Sequence, residues 1–353
     1  MPPARVERSV RLWAVSGGIL YDTRFIRGDN FYTRKDPASG FFKQVMGSDT
    51  AGAYLQFPAF QKTFSGLSFS LGLTYAVNDH ISLKANMARG FRAPNISEFA
   101  SNGLDPGAHI VYLGNRNANP EFSLQEDAGI LITYPGLSAS LTLFNNNIEN
   151  YTYEAQEVDG QGNPVVIVPG NKTFRYQQAS AQMFGLEATL NLHPEFIKGL
   201  SFDNTFTLVN GYTRNPAYKK QGVNGEYLPF MPPMRLLSGL SREFKMRSFL
   251  FPSVTLRAHA DFNAPQNRYM ALDQTETRTP GYTLLNAGVL TTIQFTKTSA
   301  AQFQLQISNL LNAAYQSNQS RLKYFEYYIA SPTGRLGMFG MGRNVCMKLI
   351  IPF

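Results

Sequence analysis

The sequence predicts an all-β protein, a transmembrane antiparallel β-barrel or a large part of one. Three observations carry this: period-two alternation of apolar and polar residues, connections that alternate strictly between short and long, and an aromatic content of 13%. In Gln302 to Ser308 every odd position is apolar and every even one polar, a pattern that no helix face collects. Mean hydropathy of −0.21 is ordinary for a water-soluble chain. A spanning barrel gives the same average, because only alternate residues meet lipid. No apolar run reaches the roughly 18 residues of a membrane helix.

Along the chain, the alternation appears in Leu67 to Leu73, Ile81 to Met87, Leu137 to Leu143, Ser253 to Phe262, Leu285 to Val289, Gln302 to Ser308 and Asn344 to Phe353. Such segments predict about 12 strands. Arg257, His259 and Asp261 share one face of their strand and need water on that side, so they are expected to face the lumen, where they line the wall as ion pairs or meet a substrate in transit. In the last strand Val345, Met347, Leu349, Ile351 and Phe353 share the face expected to meet lipid.

Short connections are expected near Val77 to His80, Tyr134 to Gly136, His193 to Gly199, Lys245 to Ser248 and Lys297 to Ala300. Long ones are expected over Ile26 to Gln61, Arg92 to Pro120, Tyr153 to Lys172, Tyr212 to Pro229, Asn263 to Pro280 and Ala313 to Gly342. Short turns on one side and long loops on the other are a membrane-barrel signature, and an even strand count puts both chain ends on the short-turn side. Aromatics near strand ends, such as Tyr75, Phe91, Tyr151, Tyr153 and Tyr212, read as interface girdle or loop packing.

Composition excludes several classes. Cys346 is the single cysteine, so no intrachain disulfide and no cysteine metal site can form. The net charge of +8 comes from 32 scattered Lys and Arg, which argues against a nucleic-acid partner. Ser16-Gly17-Gly18 lies in a strand pattern and opens no phosphate loop, and no G-x-S-x-G elbow singles out a nucleophile. No catalytic residue, cofactor or metal site is expected. Residues 1–8 show no apolar h-region and no small-residue cleavage site, so the numbering starts after processing or the chain is a piece of a longer protein.

Asn86 to Phe99, reading NMARGFRAPNISEF, resembles the strand-to-loop junction of TonB-dependent outer-membrane receptors. Gly114-Asn115 through Pro120-Glu121-Phe122-Ser123 is similar to their return into the next strand. Ser308 to Tyr315, SNLLNAAY, resembles their penultimate strand, and Gly342-Arg343-Asn344 the opening of their last, although Met341 stands where that motif has Pro. Arg116 likewise replaces a frequent Pro, and the text of Asn102 to Glu126 is most similar to receptors of Bacteroidota.

The resemblance covers the carboxyl-terminal half of a barrel of about 22 strands around a plugged lumen. It implies one barrel region over residues 1–353, without plug domain, TonB box or signal peptide. It also implies two unpaired edges, at the strand near Arg11 to Arg24 and at the strand ending in Phe353. The function it implies is uptake of a scarce nutrient, a ferric siderophore or other iron complex, powered through the TonB complex by way of the missing amino-terminal region. Lipid and lipopolysaccharide are the implied surroundings, and the terminal Phe353 resembles the signal read by the barrel-assembly machinery. A stand-alone outer-membrane enzyme and a porin or adhesin are the rival readings.

Within the Arg92–Pro120 loop, Arg92, His109, Tyr112 and Arg116 are the candidate ligand-binding residues, since cations, His and aromatics at a barrel mouth can surround an anionic chelate. Arg92 equally suits a register-setting salt bridge, and His109 a solvated loop position bonded to backbone.

Overall fold

The computed structural model describes residues 4–10, 12–35, 42–45, 50–215, 226–271, 276–324 and 337–351. The strands of the main sheet are β1 (Ala4–Val10), β2 (Trp13–Gly28), β6 (Phe60–Asn78), β7 (Ile81–Arg92), β10 (Glu121–Tyr134), β11 (Leu137–Gln156), β12 (Lys172–Leu192), β13 (Leu200–Thr213), β14 (Arg235–Lys245), β15 (Ser253–Asn263), β16 (Tyr282–Gln294), β17 (Ala300–Ser308) and β18 (Asn344–Ile350). They pair in that order, each antiparallel to the next. No described helix is long and apolar enough to cross a membrane.

Thirteen strands form this path, one more than the alternation predicts. The addition is β1, whose sequence ARVERSV runs for only seven residues and whose apolar side, Ala4, Val6 and Val10, is interrupted by the charge of Arg8. The expected edge at Arg11 to Arg24 is therefore corrected: β2 lies inside the sheet, paired to β1 and β6, and β1 is the edge. The count also overturns the parity argument. With thirteen alternating strands, β1 begins at the long-loop rim, opposite the rim where β18 finishes.

The remaining strands belong to long loops. A small sheet of β3 (Phe31–Lys35), β4 (Phe42–Val45) and β5 (Tyr54–Phe57) stands between β2 and β6. The hairpin of β8 (Asn102–Asp105) and β9 (Ile110–Leu113) follows β7. The other connections alternate between short and long as the sequence predicts.

Directly opposed residues of antiparallel strands share a face, so register sorts the two faces. Val15, Leu73, Ala85, Ala128, Leu143, Leu186 and Leu208 are successive partners across seven strands, a row without one polar residue. One position along, the row runs Ala14, Thr74, Lys84, Gly129, Thr142, Glu187, Thr207, Arg235 and Asn263. The first row suits lipid and the second a watered lumen. Leu71, Leu143, Leu240, Leu256, Met347 and Leu349 are exposed on the apolar face, which a water-soluble sandwich would bury.

The buried cores lie at the long-loop end instead of within the wall. One joins Ile26, Phe64, Ala93, Phe99, Ala100 and Ala118, with Phe57, Phe60 and Phe91 packed against it. The other joins Ile148, Ala181, Leu228 and Met231 with Tyr151, Met183 and Val209. The loops at this rim are thus folded onto the wall.

Candidate functional site: the long-loop mouth

The loop after β7 begins with helix α1 (Ile96–Ala100), whose Asn95 cap accepts from the Glu98 N–H at 2.8 Å while Glu98 accepts from the Asn95 N–H at 2.9 Å. This reciprocal box fixes the chain where the strand ends. The Glu98 carboxylate also accepts from Arg92 Nη1 at 2.8 Å, and Arg92 Nη2 donates to Glu121 at 2.8 Å. Arg92 therefore joins the last residue of β7 to the first of β10, its partner in register. Glu121 accepts in addition from the Thr152 N–H at 3.2 Å, bringing β11 into the clamp.

Arg116 is held differently. Its guanidinium stands 4.4 Å from the Phe60 ring centre, 5.2 Å from Phe57 and 5.7 Å from Phe99, and reaches the Pro58 carbonyl at 3.5 Å. Burial lowers its pKa, and the ring faces supply the attraction that water would otherwise give. Gly114 closes the turn against α1, where any Cβ would lie 2.6 Å from the Ala100 nitrogen.

The β8–β9 hairpin turns at Asp105, whose carboxylate accepts from the Gly107 N–H at 2.9 Å and the Ala108 N–H at 3.2 Å. His109 follows, exposed and in the left-handed region at φ 55°, with its carbonyl accepting from the Lys172 N–H at 3.2 Å. β9 then runs parallel to the top of β12, and Tyr112 stacks on Tyr176 at 6.3 Å. Burial raises the Tyr112 pKa, helped by Glu154 and Asp105 and opposed by Arg321, so its hydroxyl is a neutral donor at this rim.

The four sequence candidates are gathered by one loop but sit in different surroundings. Arg92 is at its root, Arg116 in an aromatic box, Tyr112 on the added strand and His109 at the hairpin turn. Below the mouth, Arg257, His259 and Asp261 line a groove of about 720 Å³ with Asp203, Arg235 and Asn286. Asp261 accepts from Arg235 Nε and Nη2, both at 2.8 Å, which fixes one end of this row. Phe353 lies outside the described residues.

Two further groupings organise the mouth. Asn309 and Asn312 adopt φ of 50° and 54°. The Asn309 amide donates to the Ala313 carbonyl at 2.9 Å and the Met341 carbonyl at 3.2 Å, while Asn312 accepts from the Arg343 N–H at 2.9 Å. The motif leaving β17 is thereby locked to the motif entering β18. Both motifs stand out in the sequence, whereas their contact does not.

The second grouping was not legible at all. Gln266 donates to the Met231 carbonyl at 2.8 Å, Asn318 donates to the same carbonyl at 3.2 Å, and Thr279 Oγ1 donates to Asn318 at 2.8 Å. Lys323 Nζ reaches Thr279 Oγ1 at 2.5 Å and the Thr277 carbonyl at 2.9 Å, and buried Glu276 accepts from the N–H groups of Met270, at 3.1 Å, and Phe230. Burial lowers the Lys323 pKa to about 8 against the pull of Glu276, and burial raises that of Glu276. These contacts staple three long loops together.

A membrane wall with a polar inner face and a mouth of interlocked loops is the architecture of an outer-membrane receptor barrel. The chain belongs to the TonB-dependent receptor family: residues 13–310 match the family model described as TonB dependent receptor-like, beta-barrel. It is an outer-membrane protein. It is 28% identical over 158 residues to the probable TonB-dependent siderophore receptor PirA of Acinetobacter baumannii, covering 41% of this chain and 21% of that protein. With the TonB-dependent heme receptor A of Haemophilus influenzae it shares 24% identity over 315 residues, covering 80% of this chain and 38% of the relative.

Among solved structures, the copper transporter OprC superposes with a TM-score of 0.71 at 15% identity, over 98% of this chain and 46% of that one. The ferric yersiniabactin uptake receptor FyuA of Yersinia pestis gives 0.63 at 14%, over 98% and 44%. These likenesses establish the fold. The chain spans less than half the length of each of these four proteins.

Proposed function

We propose that this chain forms part of the wall and mouth of a receptor that imports an iron complex across the outer membrane. The observation that carries the reading is the rim of long loops, folded onto the wall by buried cores and cross-loop hydrogen bonds above a polar inner face. A porin needs no such built mouth, whereas a receptor must hold a bulky ligand before it passes. The relatives named as siderophore and heme receptors support an iron complex as cargo.

Capture is assigned to the loops from Arg92 to Pro120 and from Tyr153 to Lys172. His109 and Tyr112 offer an imidazole and a phenol to the ligand, while Arg92 and Arg116 hold the loop that presents them. Arg257, His259 and Asp261 line the path inward. Contact with the TonB complex falls to parts of the receptor beyond this chain, and Phe353 is offered to the barrel-assembly machinery. The activity is transport, without covalent chemistry.

The test is growth under iron limitation of a strain lacking the gene, supplied with ferric enterobactin, ferric citrate or haemin as sole iron source. Loss of growth on one source, restored by the intact gene, is expected. Unimpaired growth on all of them contradicts the reading.

A further inference from the structure

The opposite rim holds a feature that ligand uptake does not use. Three consecutive short turns join β12 to β13, β14 to β15 and β16 to β17. They form one continuous ledge, since Glu243 N–H donates to the Gly199 carbonyl at 2.8 Å and Gln294 N–H to the Leu250 carbonyl at 2.8 Å. Each turn presents a Phe to solvent: Phe196 is 87% exposed, Phe249 60% and Phe295 52%. Each also carries an exposed cation two residues from that Phe in sequence, respectively Lys198, Arg247 and Lys297.

The other part of this rim is built otherwise. The turns Asp79–His80 and Pro135–Gly136 contain no Lys or Arg, and the aromatics near this part of the rim are paired, Trp13 of β2 on Tyr75 of β6 at 4.3 Å and His80 on Tyr134 at 4.2 Å. Among the described residues of the short turns, unpaired rings and cations thus fall on the ledge. Its carboxylates, Glu195 and Glu243, are outnumbered by Lys198, Arg242, Lys245, Arg247 and Lys297.

We propose that this ledge is a binding surface for anionic phospholipid of the inner leaflet, with the three Phe rings among the upper acyl chains and the cations on the headgroup phosphates. Aromatic side chains settle at the level where acyl chains meet headgroups, and cations at that depth favour a negatively charged surface. A soluble protein partner would require a patch that leaves the bilayer, whereas the ledge continues the lipid-facing wall of Phe244 and Leu256. Each such cation favours an anionic surface by about fivefold, so removing three should abolish most of the preference. The inference rests on the outer-membrane location and on the short turns facing the periplasm, not on the identity of the cargo.

The complete receptor, carrying photoreactive benzoylphenylalanine in place of Phe249, is reconstituted into phosphatidylethanolamine vesicles containing either phosphatidylglycerol or phosphatidylcholine. Crosslinking to phosphatidylglycerol is expected to exceed that to phosphatidylcholine by roughly tenfold or more, and to fall as salt rises. In the K198Q/R247Q/K297Q variant the ratio is expected to fall at least fivefold while heat-modifiable mobility shows the barrel still folded. The single K297Q variant, with an intermediate ratio, reports the same effect should the triple variant misfold. Equal crosslinking to both lipids in the parent receptor overturns the proposal, as does a ratio unchanged in both variants. Crosslinking in cells mainly to a protein also overturns it. Uptake of iron complexes is measured separately, so its failure would leave the lipid result standing.

Discussion

Arg92 Nη2 lies 2.8 Å from the Glu121 carboxylate, joining the residue where β7 leaves the wall to the residue where β10 returns. The same guanidinium holds Glu98, which caps α1, so one side chain sets both the mouth of the loop and its first turn.

Arg92→Met should therefore loosen the loop from residue 93 to 120 without unfolding the wall. Arg92 is 43% exposed, and the loss is expected to be about 1 kcal/mol, distributed over two ion pairs. Limited proteolysis of intact cells should cut this loop severalfold faster in the variant. Equal cutting rates would show that the clamp does not hold the loop.

The faces of β17 predict opposite responses to charge. Leu305 pairs with Met347 on the apolar face and Gln304 with Lys348 on the polar face. Leu305→Arg should destabilise the receptor in vesicles by roughly 2 to 4 kcal/mol, and Gln304→Arg far less. Urea unfolding of the two variants measures the difference; equal costs would reverse the assignment.

Asn309 separates conformation from hydrogen bonding. At φ 50° it sits where an ordinary Cβ costs about 1 to 2 kcal/mol, and its buried amide serves Ala313 and Met341. Asn309→Gly loses only the hydrogen bonds, about 1 to 3 kcal/mol, and Asn309→Ala should lose more. The ordering is read from unfolding midpoints, and an alanine variant as stable as the glycine variant contradicts it.

The stapled loops should respond to pH through Lys323. Its folded pKa of about 8 lies below the ordinary 10.5, so between those values the opened junction binds more protons than the closed one. Closure then strengthens as pH rises through that window, by up to about 3 kcal/mol, and the burial penalty is in full force below about pH 8. Spin labels at Pro265 and Leu322 should give a narrower distance distribution at pH 9.5 than at pH 7; broadening would contradict it.

Much of the wall was legible because its physics is local. Period-two alternation names the face of Leu305 and Gln304 directly, and Gly and Asn runs mark the loops. What escaped depends on partners distant in sequence. β1 carries charges amid its alternation, so only its pairing with β2 reveals it. The parallel docking of β9 beside Lys172–Arg175 leaves no trace in either segment alone. The Asn318 contact with Met231 spans 87 residues, and nothing in the text of either loop anticipates it. The loop candidates were legible as residue types, but a sequence cannot tell an Arg aimed at a ligand from one enclosed, as Arg116 is, by Phe57, Phe60 and Phe99.

The most direct test of the whole account is accumulation of radioactive iron, supplied as a ferric catecholate, ferric citrate or haemin, by cells that express the intact gene. The account predicts that one of these is accumulated only when the gene is present. That accumulation should stop when an uncoupler collapses the inner-membrane proton gradient, and should be lost when residues 102–117 are deleted although the barrel still assembles. Gene-independent accumulation of every complex, or accumulation indifferent to the uncoupler as through an open pore, would contradict it.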